Sequence, residues 1–229
     1  MADKLSTYNL ALLLLGERRI ASLTEQREPR RVLDDFWALV PTYCLAQGMW
    51  WFAMRVAQLN QVAGGNGFEH GYTKPPDIIH LAVMSDQAGL FPQIVSDYLD
   101  VTPTIFTHSS ALYVRYTSND PNAGGMNLAA WTDAFNHYVA ATLARMAAPR
   151  ITGSWARVEE LSDQEDAAYL TAFSIDSTSD WRGLLPFNAS AREGSAVEPY
   201  DNPLLMPFGA YRRAVARLSR YGRAPVAAQ

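Results

Sequence analysis

Hydrophobic positions along this chain fall into four helical runs, with a long stretch of shorter, broken runs between the second and the third. Leu10 to Leu15 are all apolar, with Ala11 standing among the leucines, and Gly16, Glu17 and Arg18 close the run off. That pattern predicts a short helix over 5–16, capped by Ser6 or Thr7 and stopped at Gly16. A polar turn from Thr24 to Arg27 leads to Pro29, a residue favoured at the first helical position. Val32, Leu33, Phe36, Trp37, Val40, Tyr43 and Cys44 then recur at helical spacing and predict a second helix over 29–48. Pro41 lies inside it, removes a backbone donor, and predicts a kink or a break.

From Met49 the pattern changes. Met49 to Arg55 is rich in aromatics, reads as strand or helix from pattern alone, and is taken as the lead-in to a β region over 50–118. Ala63-Gly64-Gly65-Asn66-Gly67 reads as a loop. Pro75-Pro76, Pro92 and Pro103 interrupt the chain beyond that loop, leaving short β-favouring runs at Ile78 to Met84, Thr104 to Thr107 and Ala111 to Thr117. Leu112, Val114 and Tyr116 alternate with Tyr113, Arg115 and Thr117, as in a half-buried strand.

Helical spacing returns after the loop at Asp120 to Gly125. Leu128, Trp131, Phe135, Tyr138, Val139, Thr142, Leu143 and Met146 predict a helix over 127–148, with Asn127 as its cap and Pro149 forcing its end. A fourth helix is expected over 154–178, using Val158, Leu161, Ala168, Ala172 and Ile175; Ser162-x-x-Glu165 is a capping-box pattern that offers a later start. Beyond Trp181 the spacing of Gly183, Pro186, Gly194, Pro199, Pro203, Pro207 and Gly209 shows no period. A short amphipathic helix is expected after it, with Tyr211, Ala214, Val215, Leu218 and Tyr221 on one face.

Composition narrows the chemistry. The 229 residues are 48% hydrophobic and 18% charged, which places the chain among folded globular proteins. No apolar run approaches membrane-spanning length, and the first run makes a poor signal peptide, so synthesis in a cytoplasm without export is the expectation. The one cysteine, Cys44, reads as a small core residue. His70, His80, His108 and His137 are scattered and form no metal-ligand pattern. The Gly64 to Gly67 stretch lacks a following Lys-Ser/Thr and cannot be a phosphate cradle; no nucleophile elbow or zincin motif occurs. The expectation is therefore no catalytic site, no cofactor and no metal.

Charge is distributed unevenly although the net value is only −4. The fourth helix carries Glu159, Glu160, Asp163, Glu165, Asp166 and Asp176 against Arg157. Arg212, Arg213, Arg217, Arg220 and Arg223 come after Asp201, the last acid of the chain. The acidic run reads as a solvated helical face or as the wall of a channel. The basic segment reads as a partner-docking arm, as a nucleic-acid or membrane-surface binder, or as a frayed tail.

Several short elements, taken in order, resemble a known family. They are Tyr8 to Glu17 followed by Ile20-Ala21-Ser22-Leu23, Trp50-x-Phe52-Ala53, Pro76-Asp77 before Ile78-Ile79, and Tyr113-x-x-Tyr116 ahead of a long helix. Over residues 5 to 180 the chain is similar to the head-to-tail adaptors (connectors) of bacteriophages, ring proteins beneath the portal of the tail tubular protein A type. Pro41 departs from that pattern. The resemblance implies an α+β, mainly α fold: antiparallel helices, an inserted small β region and an extended C-terminal arm, with an adaptor core over 1–182 and the arm over 183–229.

It also implies a virion structural protein made in the host cytoplasm and placed at the head–tail junction. Twelve copies would form a ring between the portal protein and a tail, nozzle or stopper protein. Double-stranded DNA would pass through without specific binding, and no membrane would be involved. The arm residues Tyr211, Arg212, Arg213, Val215, Arg217, Leu218 and Tyr221 would bind the portal. Glu159, Glu160, Asp163 and Asp166 would line the channel. Two other classes compete: a small α+β enzyme whose site forms only in three dimensions, and a DNA-binding protein that uses the arginine arm.

Overall fold

Asp3 opens the first helix. Its carboxylate accepts from the Ser6 backbone N–H at 2.7 Å, and Ser6 Oγ accepts in return from the Asp3 N–H at 3.1 Å. In this computed structural model, which describes residues 2–88 and 95–178, helix α1 therefore spans Lys4–Leu15. Ser6 and Thr7 were the expected caps; Ser6 instead completes a capping box begun by Asp3. Gly16 ends α1 with a φ of 78°, a conformation that a Cβ would disfavour. The chain divides into units Met1–Pro186 and Phe187–Gln229, and the second unit lies outside the described residues.

The expected second helix is two: α2 (Glu28–Trp37) and α3 (Val40–Ala46). The break falls at Ala38 and Leu39, ahead of Pro41. Pro41 thus sits in the first turn of α3, where its missing N–H has no intrahelical acceptor to lose.

Helix α4 spans Asp133–Ile151 and α5 spans Trp155–Thr178. Thr132 caps α4 by accepting from the Phe135 N–H at 3.1 Å, whereas Asn127 caps only a 3₁₀ turn over Leu128–Ala130. Pro149 does not force the end of α4. It lies in the last turn, so the ring costs one backbone hydrogen bond while the helix runs on to Ile151. After Gly153, at a φ of 65°, Ser154 Oγ accepts from the Arg157 N–H at 3.4 Å at the start of α5. The later start at Ser162 is not used.

α4 packs against α1, α2, α3 and α5. It is buried on nearly every side, with Phe135, Tyr138, Val139 and Leu143 interleaved by Ala140, Ala141, Ala144, Ala147 and Ala148. The alanines let neighbouring helices approach. Aromatic rings join the pieces: Trp50 meets Phe135 at 4.8 Å and Tyr169 at 6.2 Å, and Tyr138 meets Tyr169 at 5.3 Å. Trp50 is fully buried and its indole N–H donates to the Cys44 carbonyl at 3.0 Å.

Between α3 and α4 the described residues form seven strands: β1 (Met54–Gln58), β2 (Asn60–Gly65), β3 (Phe68–Thr73), β4 (Ile78–Ser85), β5 (Tyr98–Val101), β6 (Thr104–Thr107) and β7 (Tyr113–Ser118). They form one three-stranded sheet, ordered β1-β7-β4, and one four-stranded sheet, ordered β2-β3-β6-β5. Every pairing is antiparallel. The chain passes from the first sheet to the second at Leu59, whose N–H donates to the Leu112 carbonyl at 2.9 Å. Leu59, Tyr72, Met84, Ile105, Leu112, Val114 and Tyr116 make one core shared by both sheets.

The mainly-α expectation is thereby corrected: among the described residues the fold is α+β, with two full antiparallel sheets beside five α-helices. The glycine-rich stretch read as a loop is mostly strand. Only Asn66 and Gly67 form the turn between β2 and β3, with φ of 55° and 89°, the paired positive values of a tight hairpin. β7 was expected half-buried; as the central strand of its sheet it buries Arg115, Thr117 and Ser118 as well as Val114 and Tyr116.

Candidate assembly surfaces

Several polar side chains among the described residues hold the fold together. The Asp34 carboxylate on α2 accepts from Tyr8 Oη at 2.7 Å, pairs with Lys4 at 2.9 Å and is bridged by Arg30. Partial burial opposes its charge, yet the hydrogen bonds from Lys4 and Tyr8 outweigh it and hold Asp34 below the usual carboxylate range. Burial and the same carboxylate push the Tyr8 phenol upward.

At one end of the three-stranded sheet, Arg55 bridges Asp120 at 2.7 Å and Asp77 at 3.7 Å. Asp77 also accepts from Tyr116 Oη at 3.3 Å and from Ser118 Oγ. The Pro76-Asp77 and Tyr113-x-x-Tyr116 elements, far apart in the chain, thus meet here as a clasp. A cation already fills the space between the two carboxylates, and among the described residues no three His, Cys, Asp or Glu side chains gather as a metal site.

Helix α5 splits its acids between two faces. Leu161, Glu165, Ala168, Ala172 and Asp176 recur on the buried stripe. Glu165 pairs with Arg145 on α4 and accepts from Thr142 Oγ1 at 3.1 Å. Asp176 accepts from the Trp51 N–H at 3.0 Å, and burial pushes its carboxyl up to about 6 against the pull of that hydrogen bond. Of the candidate channel residues, Glu159, Glu160 and Asp163 are exposed and Asp166 is half-buried. Glu160 is bridged by Arg157, whose other nitrogen donates to the Leu14 carbonyl at the end of α1. Ile175, expected on the buried face, is exposed, because Asp176 takes that place.

Cys44 is fully buried, its Sγ 3.5 Å from Thr142 Oγ1, and burial pushes its thiol up to about 12. His70 sits 2.8 Å from the Gln61 amide, and the His108 ring lies tilted against Phe68 at 4.9 Å.

The exposed apolar groups are a different matter. Trp155 is 75% exposed at the start of α5, Leu13 is exposed on α1, and Leu39 is exposed in the turn between α2 and α3. On the four-stranded sheet Val62, Leu99 and Val101 are 41%, 39% and 47% exposed. Sequence reasoning misses this sheet surface because the strands that carry it are short. The Asn66-Gly67 pair is the signal that marks the hairpin.

The proposed portal-binding residues Tyr211, Arg212, Arg213, Val215, Arg217, Leu218 and Tyr221 lie outside the described residues. No described helix is long and apolar enough to cross a membrane. No protein-family model matches the chain, and among curated proteins no match is found.

Proposed function

We propose that this chain is a structural subunit of a virion, a head-to-tail adaptor that assembles as a ring between portal and tail. The observation that carries the reading is α5. At 24 residues it is about 36 Å long, with one face packed on α4 and Glu159, Asp163 and the Arg157-bridged Glu160 exposed on the other. A wall of that charge repels phosphates, so duplex DNA passes without sticking, whereas a basic wall would hold it. Two further points support the reading. The helix–sheet–helix order fits the family resemblance, and the Arg55–Asp77–Asp120 and Arg145–Glu165 groups clasp separate elements of the body together.

The C-terminal arm, on this reading, docks on the portal with its apolar positions Tyr211, Val215, Leu218 and Tyr221 seated in a groove. Arg212, Arg213 and Arg217 face portal carboxylates. The test is co-sedimentation of the full chain with the portal. Neutralising the three arginines together is expected to weaken the complex, as is added salt on the wild-type contact. Loss of DNA retention with intact portal docking would replace this reading with nucleic-acid binding by the arm.

A further inference from the structure

Among the described residues the four-stranded sheet ends in two open edges. Within the described residues β2 pairs only with β3, and β5 only with β6. Exposed edges invite pairing with other chains, and proteins ordinarily defend them with lysines, prolines, bulges or short length. Here the defences are few beyond the shortness of β5, which has four residues. β2 reads Asn-Gln-Val-Ala-Gly-Gly, without a charge or a proline, and five of its six residues are exposed. β5 reads Tyr-Leu-Asp-Val, exposed throughout, and its one charge is neutralised by Lys74 at 2.5 Å. The β2–β3 and β5–β6 registers run without a shift, whereas the β4–β7 pair carries two irregularities.

The two edges also match each other. Successive neighbours in β2-β3-β6-β5 are antiparallel, so with four strands β2 and β5 run in opposite directions. A second copy in the same orientation would therefore lay its β2 antiparallel to β5, continuing the alternation. An odd number of strands would have made that contact parallel.

Side chains on the outer face reinforce the match. Val62 lies opposite Gly71, Gly71 opposite Phe106, and Phe106 opposite Leu99, giving one apolar row that reaches both edges. Gly71 keeps the row level: a Cβ there would come within 3.2 Å of the Phe106 ring. Setting Leu99 beside Val62 of the next copy would join the rows of neighbouring subunits on one face. A one-residue slip would place them on opposite faces.

We propose that β5 of one copy pairs with β2 of the next, head to tail, so that the sheet continues from subunit to subunit. Such a contact uses different surfaces on its two sides, so it propagates and closes only as a ring. Closure rests on the adaptor reading; the edge pairing itself does not.

Disulfide capture tests it in the full chain. Facing residues of an antiparallel pair have Cα atoms about 4.5–5.5 Å apart, within disulfide reach, and buried Cys44 keeps the background quiet. Val62→Cys with Leu99→Cys, and Val62→Cys with Val101→Cys for a two-residue register change, are oxidised under native conditions. Thermal unfolding of each single variant, at these exposed positions, verifies the fold. The expected result is a ladder of dimers, trimers and larger species from a double variant and none from the singles. Self-association by mass without a ladder would overturn the edge pairing and leave the ring reading standing. Dimers from either single variant would mean like edges pairing, which overturns the head-to-tail contact. No cross-link and no association at any concentration would overturn the pairing.

Discussion

Trp50 shows how one residue joins the helices to the sheets. Its ring is enclosed by Phe135 on α4 and Tyr169 on α5, its N–H is satisfied by Cys44, and β1 begins four residues later. Trp50→Ala is expected to lower unfolding free energy by about 3–5 kcal/mol in denaturant titration, a cost typical of a large side chain lost from a core. No loss would mean the ring is not structural. Asp176 makes the opposite kind of contribution. Its folded carboxyl titrates at about 6 against an ordinary 3.8, so the folded state holds a proton that the unfolded chain has released. The stabilisation is fully present below the ordinary value and is lost as pH rises through about 6, a change of about 3 kcal/mol at most. Stability should therefore fall between pH 4 and 6 from this group, and Asp176→Asn should flatten that slope while keeping an acceptor for Trp51. An unchanged slope in the variant would contradict the assignment. Cys44, with its thiol raised to about 12 and no exposure, should resist thiol reagents until the protein unfolds.

At the level of elements, legibility follows length and period. α1, α4 and α5 are readable in the sequence because several turns of apolar spacing accumulate in each. Their ends are less so: Asp3 and Thr132 take the caps because the chain enters each helix from an extended residue, a feature that apolar spacing does not encode. Pro149 is tolerated because a proline in the last turn loses one bond, not a helix. β4, β6 and β7 are visible as β-favouring runs, whereas β2, β3 and β5 are not. Glycines at 64, 65 and 71 dilute the hairpin's pattern; Gly64 is there because a Cβ would lie 2.2 Å from the Glu69 carbonyl oxygen. Which acids of α5 turn inward depends on α4, since Glu165 finds Arg145 and Thr142 there. Glu165→Ala is expected to cost about 1.5–3 kcal/mol, since Arg145 loses its partner but keeps partial access to water, read by denaturant unfolding. Gly67→Val, at a φ of 89°, should cost about 1–2 kcal/mol.

The whole molecule combines a body whose polar groups serve as clasps with an acidic helix face and a cationic C-terminal segment. Removing residues 185–229 is expected to leave a cooperative thermal transition, since the described cores lie within residues 2–178, while abolishing co-assembly with the portal. Loss of the transition would make the segment part of the core. Reversing Glu159, Glu160 and Asp163 to lysine should leave the fold intact and slow DNA release from particles, with the effect relieved by salt. The central claim is a ring beneath the portal. It is tested most directly by an electron cryomicroscopy reconstruction of the head–tail junction of the particle that carries this chain. The expected result is a ring of about twelve copies with this helix–sheet–helix fold, with α5 toward the axis. A junction without this fold, or with it away from the channel, would contradict the claim.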